Sequence, residues 1–233
     1  MKNDNPQKIV ATPIVDSFIA PPCFEAVTVL YQDDYLLAVN KPSGLLSLSG
    51  KNPLNKDSVH YRIVKQFPTA LMAHRLDFGT SGVLLLALDK KSNGELTKQF
   101  QARSVKKHYS AVLFGKVQDR EGRVSVPIAK DPANFPRQKI CFEQGKEAIS
   151  HYRVIEYLEN PPRTHVEFTP ETGRTHQLRI HSLAMGHPIL GCDLYANDQS
   201  EQLAERLLLH ASWIEFLHPH SNQPMTIEAP CRF

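Results

Sequence analysis

The sequence predicts an α+β fold, with one large mixed, mainly antiparallel sheet flanked by helices and loops. Three observations predict it. Short β-rich runs follow one another closely, which favours antiparallel pairing between chain neighbours. Helical periodicity is confined to three segments, near 58–67, 92–103 and 176–185. The 233 residues would suit one large core or two small ones, but they contain no internal repeat and no linker dividing two cores, which points to one.

Residues 1–25 hold Pro6, Pro13, Pro21 and Pro22 without hydrophobic period, so an irregular arm is expected ahead of a domain over 26–233. Strands are expected over 26–31 and 35–40, joined into a hairpin by Gln32-Asp33-Asp34. Lys41-Pro42-Ser43-Gly44 stops the second strand, since proline offers no amide and glycine tolerates positive φ. Asp57-Ser58 opens the first helix, whose Val59, Ile63, Val64 and Phe67 share a face before Pro68 closes it. Val83-Leu84-Leu85-Leu86-Ala87-Leu88 is short, continuous and apolar, as a strand buried on both faces requires. Ser92-Asn93-Gly94-Glu95 has capping-box spacing, with Leu96 and Phe100 one helical turn apart behind it. A strand over 107–114 follows. The stretch 118–147 is rich in Pro, Gly and charge, with short strands near 124–128 and 139–142. Strands over 149–158 and 164–168 precede Thr172-Gly173-Arg174-Thr175, a turn and N-cap for a helix from His176 to Met185 that Gly186 and Pro188 end. The last strands are expected over 207–210, 213–217 and 225–228.

Composition narrows the function. Net charge is +3, with positive clusters at Lys90-Lys91, Arg103 to His108 and Arg174 to Arg179; a charge cluster is more often a solvated face, but these flank apolar strands, where phosphate contact is the alternative. No apolar run approaches the ~18 residues that span a bilayer. Pro13 and Asp16 break any signal-like apolar stretch, so a cytoplasmic protein without membrane contact is expected. Cys23, Cys141, Cys192 and Cys231 lie far apart without metal-ligand spacing and are expected to be reduced thiols.

Between the runs Leu71-Met72-Ala73 and Val83 onward lies a polar turn, His74-Arg75-Leu76-Asp77-Phe78-Gly79-Thr80-Ser81-Gly82. It holds one carboxylate at the lip of a buried sheet, a place suited either to chemistry or to a structural turn. Dinucleotide, phosphate-loop and zinc-protease motifs are absent. Gly79-Thr80-Ser81-Gly82 is not a nucleophile elbow, and a hydrolase built on Ser81 lacks a positioned base. His176 and His181 are five apart, which places them on different helix faces and leaves packing or hydrogen bonding as their expected use.

Five stretches, taken together, resemble the RluA family of pseudouridine synthases over about 26–233. They are Asn40-Lys41-Pro42-Ser43-Gly44-Leu45, His74-Arg75-Leu76-Asp77 with Thr80-Ser81-Gly82, Lys107-His108-Tyr109-Ser110-Ala111, the run from Gly173 to His181, and Leu208-Leu209-His210-Ala211. Phe135-Pro136-Arg137-Gln138-Lys139-Ile140-Cys141 and Gly186-His187-Pro188-Ile189-Leu190-Gly191 are similar to the subgroup acting on both 23S rRNA and tRNA. No additional S4-like RNA-binding domain is expected.

The resemblance implies an enzyme without cofactor or metal that isomerises uridines to pseudouridine in RNA hairpin loops. The implied substrates are 23S rRNA and the tRNA anticodon stem-loop, and the implied state is a monomer. Asp77 is the implied catalytic carboxylate, attacking C1′ or assisting loss of the base; the resemblance leaves which one open. A desolvated carboxylate needs a cation nearby, and Arg179 is the matching residue for a bidentate pair with it. Tyr109 is expected to stack under the uracil and to take part in removing the C5 proton. His74 and Arg75 would fill the gap left by the extruded base or hold the adjacent backbone, while Lys41, Lys106, Lys107 and Arg174 contact phosphates. The alternatives are a family member modifying another tRNA or rRNA site, and a non-catalytic RNA-binding module.

Overall fold

A computed structural model describes residues 18–195 and 197–233. The expected arm over 1–25 therefore lies outside the described residues up to residue 17. Twelve strands and four α-helices are present among the described residues. A ten-stranded sheet runs in the order β1 (Thr28–Gln32), β2 (Leu36–Lys41), β4 (Ser81–Ala87), β11 (Leu209–Leu217), β5 (Lys106–Phe114), β10 (Arg163–Pro170), β9 (Ile149–Leu158) and β6 (Glu121–Ser125). In addition, β3 (Leu71–Met72) pairs with β4, and β12 (Pro224–Glu228) with β11. All these pairings are antiparallel except β4 with β11, so the mixed, mainly antiparallel α+β expectation holds.

That one parallel join sits where β4 leaves the Asp77 turn. Gly82 has φ of +112°, and a Cβ there would lie 2.2 Å from the Ala211 carbonyl oxygen. Only glycine lets the two backbones approach this closely.

The apolar run in β4 is explained by burial on both faces. Val83, Leu85 and Ala87 pack with Leu36, Ala38 and Leu96 on one side. Leu84 and Leu86 pack with Leu37, Val39, Val59 and Ile63 on the other. Helix α2 (Lys90–Gln101) covers the first face and α1 (Val59–Ile63) the second. A third cluster lies under the right half of the sheet, joining Ala111 and Leu113 of β5 to Val166 and Phe168 of β10 and to Leu178 and Ile180 of α3 (Gln177–Ala184). The Asp77 turn is thus anchored on a strand buried along its whole length.

Several element boundaries differ from expectation for identifiable reasons. Helix α2 begins earlier, because Asp89 accepts the Ser92 amide at 2.9 Å and displaces Ser92 as N-cap. Helix α1 ends at Ile63 rather than near Phe67. The strand expected over 124–128 is split: β6 ends at Ser125, β7 (Ile128–Lys130) pairs with β8 (Gln138–Ile140) in a separate hairpin, and Pro127 between them offers no ladder amide. The two strands expected over 207–217 are one, β11, bulged between Ala211 and Trp213. Helix α3 starts at Gln177 with His176, not Thr175, as N-cap, and α4 (Asp198–Gln202) was not expected at all.

Candidate active site

Asp77 stands in a turn held from below by the segment that follows β2. Ser47 Oγ donates to the Leu76 carbonyl at 2.7 Å and accepts the Leu76 amide at 3.1 Å. Ser43 Oγ donates to the Gly79 carbonyl at 2.7 Å, and the Gly44 amide to the Phe78 carbonyl at 3.0 Å. Lys41 completes the clamp. Its fully buried ammonium donates to the carbonyls of Pro42 (2.9 Å), Leu45 (2.6 Å) and Phe78 (3.0 Å), using all three of its protons. Burial lowers its pKa to about 7, and the Asp77 charge pulls the other way.

The turn opens onto a cleft of about 110 Å³ lined by Asp77, Tyr109, His176 and Arg179 together with Arg75, Lys107 and Arg174. Among the described residues the Asp77 carboxylate has no hydrogen bond or ion pair of its own, yet its charge is felt by Tyr109, His176 and Arg179. Burial, reinforced by that charge, pushes the Tyr109 phenol well above its usual range.

The far wall is the loop 172–176 and the start of α3. Gln177, buried, accepts from Thr172 Oγ1 (2.7 Å) and the Arg174 amide (3.0 Å) and donates to the Ile149 carbonyl (3.0 Å) and Ser150 Oγ (2.9 Å). Four bonds from one side chain tie this wall to the beginning of β9. His176 takes a left-handed conformation, φ 57°, ψ 18°, and its Nδ1 lies 2.8 Å from the Tyr195 hydroxyl.

The RNA pseudouridylate synthase family model matches residues 35–184. A dual-specificity RNA pseudouridine synthase RluA of Haemophilus ducreyi is 48% identical over 216 residues, covering 91% of this chain and 97% of its own. The chain belongs to the RluA family of RNA pseudouridine synthases. A Yersinia pestis protein of the same description is 47% identical over 205 residues, covering 88% of this chain and 99% of its own. The human RNA pseudouridylate synthase domain containing 1 superposes with a TM-score of 0.77 at 29% identity, covering 90% and 85% of the two chains. The reaction class of this RluA-family chain is that of an RNA pseudouridine synthase.

Set beside the expectations, the cleft brings Asp77, Tyr109 and Arg179 together with Arg75, Lys107 and Arg174. Three expectations need correction. Arg179 makes no bidentate pair with Asp77: its terminal nitrogen is ion-paired to Asp193, its Nε donates to Cys192 Sγ at 3.2 Å, and the guanidinium lies over the Tyr195 ring. Burial works against its charge, but Cys192 and Asp193 outweigh it, so its pKa rises, with Asp77 adding to the rise. Lys41 is no phosphate contact, since its charge is sealed under the turn. His74 also turns inward: its Nε2 accepts the Leu85 amide at 3.0 Å and its ring stacks on Phe100, with burial and the Lys107 charge lowering its pKa to about 3.

Lys106 is exposed and ion-paired to Glu215 at 2.7 Å, away from the cleft, whereas Lys107 is half-buried within it and lowered by burial. Ser81 does sit beside a histidine: its Oγ lies 2.8 Å from His210 Nδ1, and His210 Nε2 lies 3.1 Å from the Ala229 carbonyl oxygen. The pair joins β4 to β11 and lines a different cleft from that of Asp77. Among the described residues no group of three or more His, Cys, Asp or Glu side chains is placed to hold a metal ion, and no helix is long and apolar enough to cross a membrane. The residues missed at the sequence level are Gln177, Tyr195 and Asp193; Gln177 lay inside a quoted motif, while the other two carried no signal.

Proposed function

We propose that the chain converts specific uridines to pseudouridine in RNA hairpin loops, in 23S rRNA and in the tRNA anticodon stem-loop, with Asp77 as nucleophile. The single observation carrying this reading is an unpartnered carboxylate sharing a small cleft with a tyrosine and an arginine. The description shared by the Haemophilus and Yersinia relatives, dual-specificity RNA pseudouridine synthase, supports action on more than one RNA, and the two RNAs are those that the sequence resemblance implies. In this reading 26–233 is the catalytic domain and the site of action is the cytoplasm.

The proposed chemistry balances without a redox partner. Asp77 attacks C1′ as the N1–C1′ bond breaks, and the electron pair leaves with uracil, spread over its two carbonyls. The base turns, C5 bonds to C1′, the ester to Asp77 is released, and the C5 proton moves to N1 by way of a proton carrier. Tyr109 lies against the base. Because its phenol is pushed upward it is a poor proton acceptor at neutral pH, which favours stacking over proton abstraction as its role. Arg179, held by Asp193 and Cys192, keeps a fixed positive charge near the carboxylate without covering it.

The test is tritium release from RNA labelled at uridine C5, followed by mapping of the modified position. Release from a tRNA anticodon stem-loop and from a 23S rRNA hairpin supports the dual reading; release from only one narrows it, and release from neither overturns it.

A further inference from the structure

We infer that His176 reads the target base: its Nε2–H donates to a carbonyl oxygen of the uracil turned into the cleft. The inference rests on the function proposed above, and it assigns a role to a side chain that packing alone does not explain. Three features of His176 converge. Its backbone is left-handed, an uncommon conformation for a non-glycine residue and one that clusters at functional sites. The side chain is buried, at 9% exposure, yet it lines the cleft that holds Asp77. Its ring is held by one partner only.

That partner sets the tautomer. The Gln138 amide donates to the Tyr195 hydroxyl oxygen at 2.7 Å. The hydroxyl proton then has one acceptor within reach, His176 Nδ1 at 2.8 Å. The reverse tautomer would leave that proton without a partner, a costly arrangement at a buried group. Nδ1 therefore accepts and Nε2 carries the proton. Among the described residues Nε2 has no hydrogen-bond partner, and it is not among the buried polar atoms sealed without one. Burial and the nearby Arg179 and Arg75 charges keep the ring neutral, against the pull of Asp77 and Asp193. The cleft thus contains, beside the catalytic carboxylate, a ring N–H donor whose direction Tyr195 fixes and which is uncommitted among the described residues.

Uracil chemistry supplies the matching acceptor twice. The carbonyls O2 and O4 lie symmetrically about the axis through N3 and C6. Turning the base about that axis brings C5 to the place of N1 and exchanges the two oxygens. One fixed donor therefore meets an oxygen before and after the turn. Between those states the base carries the negative charge of the broken bond on these oxygens, so the donation strengthens when it is needed most. The effect belongs in the rate of the chemical step and only weakly in RNA affinity.

The test is a cycle on the full chain with stem-loop RNA carrying uridine, 2-thiouridine or 4-thiouridine at the target, read as single-turnover rates. Sulfur is a weak acceptor. The wild type is expected to slow about tenfold with either sulfur, and His176→Ala to start about tenfold slower while losing little more to sulfur. RNA affinity is expected to stay within about twofold. Asparagine tolerates the left-handed backbone and its amide falls short of the base. His176→Asn therefore gives the same reading where the alanine variant does not fold. An equal sulfur penalty in wild type and variant overturns the role of His176 alone. No pseudouridine from the wild type with ordinary RNA overturns the functional reading beneath it.

Discussion

The two walls of the cleft are built by different physics. The Asp77 wall is fastened by main-chain carbonyls: a buried ammonium and two serine hydroxyls bond the backbone of 76–79, and the base of the turn continues into a strand buried on both faces. The opposite wall is fastened by a network centred on one side chain, Gln177, which bonds two side chains and two main-chain groups, with an ion pair from Arg179 to the exposed Asp193 at its edge. Carbonyls fix a turn whatever the neighbouring side chains are. A side-chain network can be retuned one residue at a time. The carboxylate proposed to react is thus on the rigid wall, and the residues that would read and orient the base are on the adjustable one.

The largest expected effect isolates the one group on the rigid wall that is proposed to react. Asp77→Asn keeps the turn, because among the described residues only the backbone of 77 is hydrogen-bonded, its carbonyl accepting the Thr80 amide. Tritium release should fall by about 10³-fold or more while RNA affinity stays near that of the wild type. Turnover at the wild-type rate would remove Asp77 from the chemistry.

The contrast also explains what was legible beforehand. A polar turn between two apolar runs is a local pattern, and so Asp77, β4 and the strands about them were readable. Lys41 was readable as a residue of interest but not as a buried one. Its acceptors on Leu45 and Phe78 come together only when two turns cross, and a lysine beside a proline reads as exposed. The expected Arg179–Asp77 pair failed for a related reason. Arg179 is satisfied by Cys192 and Asp193, which follow the Gly191 turn and have no periodic or motif signature. His176 is expected from the sequence only to pack or hydrogen-bond, and the partner it takes, Tyr195, lies 19 residues away and has no local signal.

The next effect compares the fastenings themselves. Lys41→Met leaves three buried carbonyls without their shared donor and should cost about 3–5 kcal/mol of unfolding free energy in urea titration. Gln177→Leu is expected to cost about 1–3 kcal/mol and to slow the chemical step more than its stability loss predicts. Similar stability losses for the two would erase the distinction between the walls.

A smaller effect tests the rigid wall through pH. Burial, with the Lys107 charge, lowers the pKa of His74 in the folded chain to about 3, against an unfolded value near 6.5, and Nε2 accepts the Leu85 amide only while unprotonated. In that interval the unfolded chain binds a proton that the folded chain does not. The contribution of His74 is therefore fully present above about pH 6.5 and is lost as pH falls toward 3. The stability gap between wild type and His74→Gln should narrow by about 1–2 kcal/mol from pH 7.5 to pH 5, measured by urea midpoints. A constant gap would mean that the ring is free to protonate in place.

The smallest effects treat the two walls as equals. Arg75 on one side and Arg174 on the other both line the cleft, and neither is in an ion pair among the described residues. If each meets one phosphate of the loop, either substitution by alanine should weaken RNA binding a few-fold and lower the slope of log affinity against log salt by about 0.7–0.9. Lys106→Ala is the matched control, because Lys106 is already paired with Glu215 outside the cleft. Its salt slope should stay at the wild-type value. A drop as large as that of Arg75→Ala would extend the RNA track along β5, beyond both walls.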